Sequence, residues 1–360
     1  MDASKPYNKL PLLPPKADIE TKQILQKAIR ANKALAELKA FANIIPNQGI
    51  LINSLTLKEA KDSSEIENII TTHDELFKAF STHITSNISP ATKEVLAYRE
   101  ALWFGYEHIK KKSFLNTNAV IKIQELIVEN KAGIRKQPGT VLKNDKTGEV
   151  IYTPPSGIDV IEGILKNLEE YIHDDMDTTD PLIRMAVIHY QFESIHPFYD
   201  GNGRTGRILN VLYLILAELL DLPVLYLSSY IIKHKSAYYK LLQEVRTEKN
   251  WEGWILYMLD CVEQTSNDTT HKIKQIKKLF DETAGKVKNK LPKIYTKELI
   301  EVIFRQPYCT IGHLVENKIV ARQAAGRYLG QLEEIGILES KKTGRDILYI
   351  NTSLYSLLKN

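Results

Sequence analysis

Cysteine is scarce in this chain. Only Cys261 and Cys309 occur in 360 residues, far apart in sequence, so neither a disulfide framework nor a Cys-x-x-Cys metal site is implied. Long apolar runs are missing too. The most apolar stretch, residues 208–227, is interrupted by Asn210, Glu218, Asp221 and Pro223, whereas a membrane span needs roughly 20 mostly apolar residues without charges. It reads instead as the buried central helix of a bundle. The first residues are polar and contain proline rather than the apolar core of a signal peptide. Repeats and low-complexity tracts are absent as well. A secreted disulfide scaffold, a membrane protein and a repeat array are thereby excluded, and a cytoplasmic chain with no membrane partner is expected. At 360 residues it exceeds one compact core, so two or three domains are anticipated.

What is present is concentrated in residues 196–207, which read His-Pro-Phe-Tyr-Asp-Gly-Asn-Gly-Arg-Thr-Gly-Arg. His196 is a base whose ordinary pKa lies near neutrality. Asp200 is a hard oxygen ligand suited to Mg²⁺. Gly201, Asn202 and Gly203 form a turn whose backbone N–H groups can face an anion. Arg204 and Arg207 carry planar donors that match phosphate oxygens. Singly, each has an ordinary structural reading: a Gly-Asn-Gly is usually a turn and paired arginines a solvated face. Jointly they supply a base, a metal ligand and a phosphate cradle, the parts of nucleotidyl or phosphoryl transfer. The flanks fit. Asp180-Pro181 starts a helix whose apolar positions include Ile183, Val187, Tyr190 and Ile195. Pro197 ends it at His196, with Phe198 as a core anchor for the loop. A second helix begins near Arg204 and aims its positive N-terminus at the turn.

All nine specified positions in these twelve residues match the motif HPFx[D/E]GNGRxxR, so the chain resembles the Fic family. The resemblance implies a mainly α fold, a helical bundle with a β-hairpin flap, and a protein adenylyltransferase that moves AMP from ATP onto a Tyr, Thr or Ser hydroxyl of a protein, itself included. In that reading His196 is the general base and Asp200 holds Mg²⁺. Gly201, Asn202 and Gly203 support the α-phosphate, Arg204 and Arg207 the leaving pyrophosphate, and Thr205 and Gly206 complete the nucleotide loop. Relatives that phosphorylate carry lysine at the second glycine, so Gly203 points to the AMP-transferring branch. Upstream, Ser63, Glu67 and Asn68 fit [S/T]xxxE[G/N]. In family members with this pattern an inhibitory helix places its glutamate on the second arginine, here Arg207, at the γ-phosphate position, where a carboxylate competes as a bidentate anion.

The polar stretch Lys143-Asn144-Asp145-Lys146-Thr147-Gly148, between Val141-Leu142 and Val150-Ile151-Tyr152, reads as a hairpin. The resemblance makes it a flap, residues 147–152 (Thr147, Gly148, Glu149, Val150, Ile151 and Tyr152), that aligns the target as an added strand. Such pairing reads backbone more than side chain, so the target stays unnamed. Residues 226–245 resemble the helix that closes the nucleotide pocket, with Lys233 as an ATP contact.

The remainder is helical: residues 18–42, a capping box at Thr72 and Glu75, 90–112, 117–129 and 159–173, after a proline-containing extended arm over 1–16. The expected division is 1–112 for an N-terminal helical region with the 63–68 motif, 113–265 for the catalytic core, 266–292 for a linker helix and 293–360 for a winged helix-turn-helix. The last comprises helices over 295–304, 310–316 and 321–335 and a wing over 339–350, tipped by Lys341-Lys342-Thr343-Gly344-Arg345. Residues 286–360 hold 13 Lys and Arg against 7 Asp and Glu, while the whole chain is only +4. Arg322, Gln323 and Arg327 on the third helix make a nucleotide-gated DNA-binding regulator the rival function. Winged helices also mediate protein contact, favoured here because Gly326 and Gly330 permit close approach. A homodimer and DNA therefore stay open as partners.

Overall fold

A computed structural model describes residues 2–44, 48–82, 88–144, 147–343 and 346–359. Asp145 and Lys146 of the expected hairpin turn, and Gly344 and Arg345 of the expected wing tip, lie outside them.

The elements run α1 (Lys22–Ala42), α2 (Gln48–Ile66), α3 (His73–Thr82), α4 (Pro90–Lys112), α5 (Thr117–Val128), β1 (Leu142–Lys143), β2 (Val150–Tyr152), α6 (Ile158–Ile172), α7 (Pro181–Ile195) and α8 (Asn202–Leu216). There follow α9 (Leu227–Lys233), α10 (Lys235–Glu248), α11 (Trp251–Lys290), α12 (Lys297–Phe304), β3 (Tyr308–Cys309), α13 (Ile311–Glu316), α14 (Arg322–Glu334), β4 (Glu339–Thr343), β5 (Asp346–Ile350) and α15 (Thr352–Lys359). The fold is mainly helical, as expected. Local chemistry sets many of the starts. The side chains of Thr21, Ser89, Asn116, Asp180, Asn250 and Thr296 each accept a first-turn N–H, satisfying a donor that the helix itself cannot.

At the centre lie α7 and α8. Every residue of α7 after Pro181 is buried, and so is nearly all of α8, so these helices are enclosed on every face rather than along one stripe. They pack on each other. On the α7 side lie α1, α6 and α11; on the α8 side lie α2, α4 and α5. The N-terminal arm is not free. Leu10 and Leu13 are buried, and the Asn167 side chain donates to the Leu13 carbonyl and accepts its N–H at 3.1 and 2.8 Å.

Several expectations need correction. Residues 226–245 are two helices, broken at His234. The boundary placed after residue 265 falls inside α11, a continuous helix of 40 residues, about 60 Å long at 1.5 Å per residue. Its apolar spacing survives the polar composition, with Thr269, Ile273, Ile276, Phe280 and Val287 buried. The box at the start of α3 is half made. Thr72 Oγ1 accepts the Glu75 N–H, but the Glu75 carboxylate accepts from the Ser89 N–H instead. Finally, α8 begins at Asn202 rather than near Arg204.

The C-terminal unit sets α12, α13 and α14 against an antiparallel sheet in the order β3-β5-β4, with α15 added. It docks through β3 on α3 and through α15 on α2 and α11. The Tyr308 hydroxyl donates to Asp74 Oδ1, and Phe77 lies against the rings of Tyr308 and Tyr355. On α14, Arg322, Gln323 and Arg327 are exposed.

Candidate active site

Asn202 shapes the loop after α7 more than it faces a ligand. Its Oδ1 accepts the Phe198 N–H and its Nδ2 donates to the Phe198 carbonyl, both at 2.9 Å. The side chain expected at the α-phosphate is therefore committed to the loop, and only its backbone is left for an anion. Gly201 has φ +76°, and a side chain there would also meet Val128 at 2.8 Å, so only glycine suits the turn. Arg135, fully buried, clamps the same loop from outside. Its Nε donates to the His196 carbonyl at 2.8 Å and its Nη2 to the Ile195 carbonyl at 3.2 Å and to that of Pro155, while its N–H reaches the Pro197 carbonyl.

These constraints place His196 at the left-handed end of α7, φ +46°, facing a cleft of about 1050 Å³. Burial lowers its pKa to about 3, reinforced by the cations Arg135 and Arg246. It is a neutral imidazole at physiological pH, and its Nδ1 has no hydrogen-bond partner among the described residues.

Asp200, Gly201 and Gly203 line the same cleft, at the N-terminus of α8. A carboxylate already sits there. Glu67, in the turn just past α2, places Oε1 2.7 Å from Arg207 Nη2 and Oε2 2.9 Å from Arg204 Nε. A Cβ on Gly203 would lie 2.5 Å from Glu67 Oε1, so this glycine admits the carboxylate to the helix end, where the dipole and free N–H groups favour an anion. Both guanidinium groups are 2% exposed and Glu67 is 25% exposed. Burial alone pushes Arg207 down, but Glu67, together with Tyr238, Tyr98 and Glu193, more than offsets this and holds it well above the ordinary arginine value. Ser63 completes the clasp, its Oγ accepting from Arg207 Nε at 2.7 Å and its carbonyl from Nη2 at 3.0 Å. Asn68, at φ +63°, ends the turn and lines the cleft.

The glutamate thus spans both arginines, where only Arg207 was expected. The two differ in role. Arg207 lines the cleft, but Arg204 does not. Arg204 is held by Glu94 at 2.9 Å and Asp200 at 3.4 Å besides Glu67, which makes it a structural tie. Thr205 is fully buried, and Gly206 packs against Phe192 and Glu193, so neither faces a ligand. Lys233 is exposed and away from the cleft. Lys235 lines the cleft instead and donates to the Ile66 carbonyl at 2.6 Å, capping the last turn of α2. The helix break at His234 is what exchanges the two lysines. In the hairpin, Leu142 pairs with Tyr152 and Lys143 with Val150. Ile151, Tyr152 and residues 141–144 line the cleft, whereas Thr147, Gly148, Glu149 and Val150 do not.

Sequence patterns gave no sign of Glu94, Arg135, Glu193 or Arg246. The Glu193 carboxyl is buried beside the arginines, and burial pushes it up to about 7 despite Arg207. Arg246 lies 4.0 Å over the Tyr152 ring, with Nε 3.3 Å from Ser194 Oγ. Glu94, Arg135 and Arg246 come from elements remote from the motif, whereas Glu193 lies on α7, one turn before it.

For a metal, Asp200 offers one carboxylate, 71% exposed at the cleft edge, with Oδ1 also accepting the Gly201 N–H at 2.6 Å. Among the described residues no group of three or more His, Cys, Asp or Glu is placed to hold a metal. A lone carboxylate suits Mg²⁺ that takes its other ligands from phosphates and water. No described helix is long and apolar enough to cross a membrane.

Known proteins resemble the chain in sequence and in fold. Residues 25–107 match the Fic/DOC family N-terminal model, residues 114–214 the Fic/DOC family model, and residues 279–354 the C-terminal domain of SoFic-like protein adenylyltransferases. A Caenorhabditis elegans protein adenylyltransferase is 44% identical over 59 residues, 16% of this chain and 11% of that one. The Drosophila willistoni protein adenylyltransferase Fic is 22% identical over 254 residues, 69% of this chain and 46% of that one. The chain therefore spans about half or less of the length of these relatives. In fold it is similar to the crystal structure of a Fic family protein from Desulfovibrio desulfuricans (TM-score 0.57, 16% identity, 92% and 96% of the two chains). It is likewise similar to residues 134–508 of Fic-1 from C. elegans (TM-score 0.54, 18% identity, 69% and 73%). Motif, clasp and matched models converge, and the chain belongs to the Fic/DOC family.

Proposed function

We propose that this chain is a protein adenylyltransferase held in check by Glu67. The observation that carries the proposal is the carboxylate bound at the α8 N-terminus beside a neutral histidine: an anion site complete in its donors and filled by the protein's own anion.

With Glu67 withdrawn, the Gly201–Gly203 amides face the α-phosphate of ATP and Arg207 the departing phosphates. His196, unprotonated at pH 7, takes the proton from a Tyr, Thr or Ser hydroxyl. The new bond joins that oxygen to the α-phosphorus, the bond to the bridging oxygen breaks, and pyrophosphate leaves. Mg²⁺, when bound at Asp200, neutralises phosphate charge. The β1–β2 hairpin borders this place and receives the target backbone. Substrates are proteins, this chain among them.

Incubation with ATP labelled at the α- or γ-phosphate tests the reading. Label should enter protein from the α position only, and His196→Ala should abolish it with the circular dichroism unchanged. Transfer from the γ position, or full activity in that variant, would exclude the mechanism. A second reading, DNA binding by α14, has in its favour the exposure of Arg322, Gln323 and Arg327. It requires duplex affinity that falls steeply with salt.

A further inference from the structure

A second cleft, of about 340 Å³, lies where α2, α3 and α4 meet the C-terminal unit. It shares no described lining residue with the cleft at His196. Its size falls in the range of small-molecule sites. One wall carries Arg99 and Trp103 of α4, with Phe80 of α3; the opposite wall carries Arg305, Gln306 and His313.

The two guanidinium groups are built in different ways. Arg99 is stacked on Phe80, its carbon 4.4 Å from the ring centre. Its Nη2 donates to Asn53 of α2 and its Nη1 to Glu100, each at 2.8 Å. Its Nε is buried with no hydrogen-bond partner among the described residues, and burial lowers the pKa of the group. A buried cationic donor left unmet is costly, and the side chain as a whole keeps 12% exposure, through which an anion in the cleft can meet its other donors. Arg305 is exposed, and Asn317 Oδ1 accepts from its Nη1 at 3.1 Å. A guanidinium has five N–H donors, so each arginine keeps capacity for an oxygen ligand. Glu316 is the one carboxylate of the described lining, against Arg99 and Arg305. The half-buried Trp103 and the Phe80 ring offer apolar contact beside the charges.

We propose that this interdomain cleft binds a small organic anion, its carboxylate or phosphate on Arg99 and Arg305 and its ring or apolar body against Trp103. Arginine suits planar or tetrahedral oxyanions through paired donors, and the aromatic wall selects against inorganic ions. An occupant bridges the catalytic bundle and the C-terminal unit at a place where Asn53, on the helix that leads to Glu67, is already tied to Arg99. The inference does not depend on the chemistry at His196.

Isothermal titration of the full chain with phenyl phosphate, beside phenol and inorganic phosphate, tests it. Phenyl phosphate should bind one to one with a dissociation constant of about 0.1–1 mM, as its size allows, and both simpler compounds should bind at least about tenfold more weakly. Arg305→Ala removes an exposed side chain and should weaken binding by about 10–100-fold, the equivalent of one charge-assisted contact. Trp103→Phe should weaken it less and abolish the accompanying change in tryptophan fluorescence. Arg207→Ala should leave it unchanged. No measurable heat, equal affinity for phenol, indifference to Arg305→Ala, or loss on Arg207→Ala would each overturn the proposal.

Discussion

Glu67→Gly separates a regulatory glutamate from a merely structural one. The substitution removes both charge-assisted hydrogen bonds of the clasp, to Arg207 at 2.7 Å and Arg204 at 2.9 Å. Their loss is unequal. Arg204 keeps Glu94 and Asp200, while Arg207 keeps only Ser63 as a hydrogen-bond partner among the described residues. The effective change is thus one contact to a charged group, about 1.5–3 kcal/mol, taken toward the lower end because Glu67 is 25% exposed. At tenfold per 1.4 kcal/mol, the lower half of that range, about 1.5–2.2 kcal/mol, gives an incoming phosphate a gain of about 10–40-fold in its competition for Arg207. AMP incorporation from α-labelled ATP should rise by that order at subsaturating ATP. The thermal midpoint should meanwhile fall by a few degrees, because Arg207 is left buried with less compensation. Glu67→Gln, which keeps an acceptor without charge, should lie between. Opposite movement of activity and stability is the signature. If Glu67→Gly lost stability and gained no transfer while ATP still bound, the inhibitory reading would be refuted.

Lys235→Met should also raise transfer, by a smaller factor of about 3–10, because it removes the cap on the Ile66 carbonyl, worth about 1 kcal/mol. Unchanged labelling in the Glu67-containing protein would show that this cap does not hold the clasp. Because the His196 pKa lies at about 3, transfer should show no acid limb between pH 5.5 and 8 from this group. A rate falling with apparent pKa near 6.5 would contradict its burial. Burial of His73 (about 4), His189 (about 3) and His196 (about 3) lowers all three, so the unfolded chain binds more protons than the folded one. Stability should fall as pH drops from 6.5 toward 4, measurable as the denaturation midpoint against pH. Glu59 has the opposite sign: burial raises it to about 8, so its contribution is complete below pH 4.5 and lost as pH rises through 8. Glu59→Gln should remove that alkaline loss, and an unchanged alkaline slope would exclude Glu59 as its source.

The sequence by itself determined the local parts. Asp180 with Pro181 set the start of α7, Pro197 its end, and Gly201 the turn, because capping, proline geometry and positive φ act within a few residues. The twelve-residue motif needed no tertiary help, since its chemistry is contiguous. Ser63 and Glu67 were legible only as a pattern. The structure decided that the carboxylate bridges both arginines, because that depends on how α2 packs beside α8, 137 residues away for the pair Glu67 and Arg204. It also decided that Asn202 serves the loop, that Arg204 is a tie to Glu94, and that Lys235 rather than Lys233 meets the cleft. These follow from the rotation of each helix and from the break at His234, which no local propensity encodes. The continuity of α11 was hidden for a related reason. Its charged composition resembles a linker, and only the packing of α1 and the C-terminal unit along its length gives the buried face a purpose. Arg135 and Arg246, which lower the base from remote elements, carry no sequence signal at all: a histidine's pKa is fixed by what surrounds it in space.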